Sequence, residues 1–175
     1  FGKSLTLSML HHYYDIHDAD KFEQLYGDLY IGKNPTPNHN KYLVIYLNFA
    51  VINADMGNYR SALDSHCRIE FTQVCRRYAH LLPSNAVDDL LKEDGAVKQL
   101  DYLCKICSDA NQKIYLFIDE YDHLIYNILS VQARLEEYKG ETYGTGYLRT
   151  FFDTIKSGTD LSIERVFVTG VSPVT

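Results

Sequence analysis

Hydrophobic and polar positions switch between two periods along this chain, and each switch marks an element. Over 3–14, Leu5, Leu7, Met9, Leu10 and Tyr13 stand among short polar side chains, which predicts a helix opened by Gly2-Lys3-Ser4. A loop-prone stretch follows. Within it, Gly32-Lys33-Asn34-Pro35-Thr36-Pro37-Asn38 carries two prolines, which remove backbone donors and exclude regular helix. Tyr42-Leu43-Val44-Ile45-Tyr46-Leu47 is a short, unbroken apolar run and predicts a buried strand. From about Asn58 to Leu82 the spacing is helical again, through Leu63, Cys67, Phe71, Val74, Cys75, Tyr78 and Leu82, and it stops before Pro83. Residues 86–92 and 95–108 support two further helices.

Lys113-Ile114-Tyr115-Leu116-Phe117-Ile118 is too short and too uniformly apolar for a surface helix, so it predicts a strand covered on both faces, closed by Asp119 and Glu120. Beyond it the pattern predicts a helix over 124–137, a glycine-rich loop leading to Gly144-Thr145-Gly146, a helix over 146–157, and a last strand from Arg165 to Thr169. Strands separated by helical segments imply an α/β layer fold with a mostly parallel sheet, because parallel neighbours need crossover connections. Ligands of such sheets gather at the carboxyl ends of the strands. The acids after Ile118 therefore stand where chemistry is usually done.

Composition narrows the class. With 175 residues, 46% of them apolar, the chain has the makings of one globular domain with a substantial core, and disorder is excluded. A net charge of -6 argues against an affinity built on neutralising phosphates, so direct nucleic-acid binding is not expected. No run approaches the roughly 18–20 apolar residues that cross a bilayer, and no basic segment with an apolar stretch opens the chain. It starts at Phe1 rather than Met, inside what reads as a motif, so the sequence is read as a domain truncated at both ends. Cys67 and Cys75 belong to one helical stripe. Cys104 and Cys107 form a CxxC, but they extend the stripe of Val97, Leu100 and Leu103, with no second CxxC or paired histidines to complete a zinc site. Reduced, buried thiols of an intracellular protein are the plainer account.

Three blocks carry candidate chemistry. A phosphate-binding loop reads G-x-x-x-x-G-K-[ST]: its amides cradle phosphate oxygens, the lysine neutralises the outer phosphates, and the hydroxyl joins the magnesium shell. Phe1-Gly2-Lys3-Ser4 holds the end of that pattern, at the opening of a helix whose free amides favour an anion. The alternative is a helix start with a solvated lysine. In Ile114-Tyr115-Leu116-Phe117-Ile118-Asp119-Glu120, Asp119 suits the support of magnesium and Glu120 the deprotonation of an attacking water. The alternative is an acidic turn into a helix capped by Asp122. Third, Val166-Phe167-Val168-Thr169-Gly170-Val171-Ser172 ends an apolar strand in hydroxyls that suit the sensing of a terminal phosphate, or simply a turn made by Gly170 and Pro173. No glycine follows Ser172 to build a hydrolase elbow. His11, His12, Asp15, His17, Asp18 and Asp20 form a His/Asp-rich patch, open to a metal or to a solvated helix end. Tyr121 and His123 suit either the mouth of a site or the packing of the next helix.

Together, Gly2-Lys3-Ser4-Leu5 running into His12-Tyr13-Tyr14-Asp15-Ile16, Phe117-Ile118-Asp119-Glu120-Tyr121-Asp122-His123, and Phe167-Val168-Thr169-Gly170-Val171-Ser172-Pro173-Val174 resemble the AAA-ATPase-like family. In that family the loop looks like R-P-R-R-F-G-K-S and the acidic strand ends in D-E-Y-D. The resemblance spans nearly the whole chain, in order. It implies a P-loop NTPase-type three-layer α/β fold over 1–175 and an ATP- and Mg2+-dependent ATPase. It also implies an adjoining nuclease-like effector domain outside these residues. Lys3 and Ser4, after Gly2, would hold phosphate and magnesium, Asp119 the metal shell, Glu120 the water, and Thr169 or Ser172 would sense phosphate. An arginine finger is not assigned; Arg149 and Arg165 are candidates by type only. No N-K-x-D motif points to guanine.

Overall fold

The computed structural model describes residues 2–52, 59–127 and 146–170, with the side chain of Ser4 excepted. A three-stranded parallel sheet lies at its centre, in the order β1 (Leu43–Asn48), β2 (Ile114–Asp119), β3 (Ile163–Val168). Before β1 come α1 (Lys3–Tyr14), a 3-10 segment (Ile16–Lys21), α2 (Phe22–Tyr26) and α3 (Tyr30–Lys33). Between β1 and β2 lie α4 (Tyr59–Arg77), α5 (Ala86–Leu90) and α6 (Gly95–Asp109). Residues 121–127 form α7, and α8 (Gly146–Gly158) leads into β3.

Helices cover the sheet on both faces. Leu43, Ile45 and Leu47 of β1 and Leu116 and Ile118 of β2 pack against Leu63, Cys67 and Phe71 of α4, Leu100, Leu103 and Cys107 of α6, and Phe151 of α8. On the other face, Leu7 of α1 packs on Tyr42, Val44, Tyr115 and Phe117. Every residue of β2 is buried, as its unbroken apolar run predicts for a central parallel strand. Tyr46 faces Phe117 in register, and Asn48 faces Asp119. The pairing of β2 with β3 contains one irregularity: Ile114 pairs with Ile163 but Tyr115 pairs with Arg165, so Glu164 is an extra residue on β3. The hydroxyl of Tyr42 donates to the Glu164 carboxylate at 2.6 Å.

The strands fall within a residue or two of the sequence expectation, and the described helices follow it closely. The first helix matches it at both ends. Three differences stand out. The stretch after α1 contains a 3-10 segment and two short helices instead of plain loop, because the Asp15 side chain accepts from the His17 amide at 2.8 Å and starts a new turn there. Tyr26 anchors α2 by donating to the Met9 carbonyl at 2.6 Å. The long helix ends at Arg77, and turns carry the chain on to Leu82, with Tyr78 fully buried against β1. Of the helix expected over 124–137, the part to 127 is helical and begins earlier, at 121; the rest, with the glycine-rich loop before Gly146, lies outside the described residues. All four cysteines are free and buried. Among the described residues no helix is long and apolar enough to cross a membrane.

Candidate functional site

Alternation along β2 turns Asp119 to the face of Tyr115 and Phe117, toward α1. The residue is 2% exposed, and its carboxylate is held on both oxygens. Oδ2 accepts from the Tyr46 hydroxyl at 3.0 Å, and Oδ1 accepts from the Thr169 hydroxyl and, at 3.0 Å, from the amide of Glu120. A carboxylate buried at a strand end is tolerated only with donors of this kind. Thr169 is fixed in turn, because its amide donates to the Ile118 carbonyl at 2.8 Å and its carbonyl accepts from the Tyr121 amide at 3.1 Å.

Glu120 sits where the strand turns into α7, at φ +56°, a left-handed conformation rare for a side chain of this kind. Such backbone clusters at functional turns. Here it sends the carboxylate across to α1. The Lys3 ammonium donates to Glu120 Oε1 at 3.1 Å, with both side chains about one third exposed, at 35% and 31%. Gly2 caps α1 at φ +88°, a conformation that glycine takes without strain and that brings Lys3 into the first turn. The first amides of an α-helix have no partners within it, so this end of α1 attracts an anion beside the lysine.

Tyr46 is pushed up to about 12 by burial and by its hydrogen bond to Asp119, so the phenol remains a donor across the working pH range. A cavity of about 220 Å³, lined by Leu7, Ser8, His11 and Tyr46, runs between α1 and β1 on the same face. The arrangement offers an ammonium and a helix end for an anion, a buried carboxylate for a hydrated cation, and a second carboxylate within reach of solvent.

Of the residues singled out in the sequence, Gly2, Lys3, Asp119, Glu120 and Thr169 gather at this end of the sheet. The backbone of Ser4 lies in α1, while its side chain and all of Ser172 lie outside the described residues. Arg165 stands at the start of β3, away from Thr169, and its Nε donates to the Tyr42 hydroxyl at 3.2 Å. Arg149 is exposed on α8 at 4.0 Å from Asp153. Tyr121 packs against the main core.

The His/Asp-rich patch resolves into an ion-pair network. Arg77 donates through Nε at 3.0 Å and Nη2 at 2.7 Å to Asp15 Oδ2, and through Nη2 at 3.0 Å to Asp18 Oδ2. Tyr78 donates to Asp15 Oδ1 at 2.8 Å while its oxygen accepts from the Val44 amide at 2.8 Å. His12 lies 2.7 Å from Asp18, and Lys21 donates to Asp18 at 2.7 Å. With their acceptors taken by donors, Asp15 and Asp18 tie α1 and the 3-10 segment to α4 and β1. Among the described residues no cluster of three or more His, Cys, Asp or Glu side chains forms a metal site. Sequence reasoning missed Tyr46. Its phenol tip sits inside an apolar run, and only its hydrogen bond to Asp119, two residues beyond its register partner Phe117, distinguishes it from a core tyrosine.

A family model described as a predicted AAA-ATPase, the AAA-ATPase-like family, matches residues 1–175, and the chain belongs to that family. No curated protein and no solved structure matches the chain.

Proposed function

We propose that this chain is an ATP-binding domain of P-loop NTPase type that hydrolyses ATP with Mg2+, and that the cycle drives or regulates an adjoining nuclease-like domain. The observation that carries the reading is the meeting of Lys3 with Glu120 at 3.1 Å, beside a buried Asp119, at the carboxyl end of a parallel sheet. The donor set fits the magnesium nucleotide: the Lys3 amine and the α1 amides match phosphate oxygens, and the Asp119 carboxylate matches a hydrated hard cation. Bound magnesium supplies charge neutralisation of the phosphates.

In this reading Gly2 shapes the turn, Lys3 and the opening amides of α1 would hold the outer phosphates, and Ser4 would supply a hydroxyl to the metal. Asp119 would support the metal through a carboxylate whose Oδ1 is held by the Thr169 hydroxyl. Glu120, released from Lys3 by the phosphates, would orient a water toward the terminal phosphate and take its proton. Thr169 or Ser172 would sense that phosphate.

The test is nucleotide binding and phosphate release by the intact protein. Lys3→Ala is expected to abolish ATP binding, and binding at wild-type affinity in that variant would remove the assignment. The ion pair between Lys3 and Glu120 favours a second reading, a nucleotide switch with slow hydrolysis, since it occupies the carboxylate that hydrolysis needs. Tight binding without phosphate release would select that reading.

A further inference from the structure

We propose that Tyr46, from the strand beside the acidic one, is a positioning residue for the metal-supporting carboxylate, and that its hydroxyl sets how strongly magnesium and nucleotide binding are coupled. The proposal rests on the nucleotide reading above and names a residue that reading does not require.

The geometry singles out this hydroxyl. Tyr46 Oη donates to Asp119 Oδ2 at 3.0 Å, while Thr169 and the Glu120 amide both serve Oδ1. Tyr46 is therefore the one donor on Oδ2 among the described residues. Without it the carboxylate keeps its Oδ1 partners but gains freedom to rotate about its terminal torsion, which is broad and two-fold for aspartate. The ring is held by its strand: Tyr46 shares a face with Tyr42 and Val44, opposite Phe117 in register, and lies against the second core cluster. The cavity bounded by Leu7, Ser8, His11 and Tyr46 lies beside the residue, between α1 and β1.

Groups that orient metal-supporting side chains typically change metal affinity 10–100-fold when removed, and the lower end suits a carboxylate that retains two other donors. Tyr46→Phe deletes the hydroxyl and keeps the ring. The experiment measures the affinity of the intact protein for a fluorescent ATP analogue, with Mg2+ and with the metal chelated, in wild type, Tyr46→Phe and Tyr42→Phe. Tyr42 lies on the same strand and face, but its hydroxyl serves Glu164 away from the site. Thermal unfolding of each variant is recorded alongside.

The expected result is a loss of about tenfold in the Mg2+-induced gain of affinity for Tyr46→Phe, with metal-free affinity unchanged and Tyr42→Phe like wild type. A Mg2+ gain within twofold of wild type in Tyr46→Phe overturns the proposal. So does an equal loss with and without Mg2+, or the same loss in Tyr42→Phe, since each marks a structural role. Failure of the wild type itself to bind the analogue under either condition removes the nucleotide reading, and the proposal with it.

Discussion

Lys3 and Glu120 are 117 positions apart in the chain and 3.1 Å apart in space. With each side chain about one third exposed, such a pair contributes only about 0.5 kcal/mol to the fold. Its removal therefore separates chemistry from stability. Glu120→Gln is expected to keep nucleotide binding and to shift the unfolding midpoint by no more than about 2 °C. Phosphate release should fall roughly 100-fold or more, the effect of losing a general base. Unchanged turnover in this variant would reject Glu120 as the base.

The Arg77 network makes an acid-dependent contribution with a defined sign. Burial raises Asp15 and Asp18, but hydrogen bonds from His11, the His17 amide and Tyr78 on Asp15, and from Lys21 and His12 on Asp18, with the charge of Arg77 on both, more than offset it. Asp15 ends below its ordinary value and Asp18 at about 2. Carboxylates lowered on folding stabilise fully above the unfolded value of 3.8 and lose that contribution as the pH falls toward about 2. The unfolding midpoint should therefore drop between pH 4 and pH 2. Arg77→Met leaves the fully buried Asp15 without its cation and should cost on the order of 3 kcal/mol at neutral pH. For a chain of this size that is roughly 6–12 °C. A variant as stable as wild type would show that the network carries no such load.

The cysteines give a prediction about reactivity. Burial raises all four thiols, Cys75 and Cys104 to about 11 and Cys67 and Cys107 well up. Since the thiolate is the reacting form, none of them should react with an alkylating reagent at pH 8 while the protein is folded, and all four should react in denaturant. Fast native labelling of Cys104 or Cys107 would revive a redox role for the CxxC.

What the sequence made legible follows from what periodicity encodes. Uniform apolar runs around Val44 and Leu116 identify strands, and the stripe from Leu63 to Cys75 identifies a long helix, because burial on a regular element repeats locally. The pairing of Lys3 with the acidic strand end was legible through motif order and resemblance. Arg77 was not, since its partners Asp15 and Asp18 lie 62 and 59 positions away and no local pattern announces them. The helical turns after Asp15 were missed because a side-chain cap and the Tyr26 anchor, not an apolar stripe, hold them. Tyr46 looks like core from the sequence, because a tyrosine ring satisfies an apolar position whatever its hydroxyl meets.

The extra residue on β3 has an effect at a distance. Pairing resumes with Tyr115 opposite Arg165 and runs to Ile118 opposite Val168, which brings Thr169 level with Asp119. Had Glu164 taken the place opposite Tyr115, with no extra residue, Val168 would stand level with Asp119 and an apolar side chain would replace the hydroxyl. Five steps of strand, roughly 16 Å, separate the cause from its result. A single-codon insertion just after Arg165, taken up in the ladder without a further bulge, would thus slide the strand against the sheet and disarm the far end, without altering any residue found there.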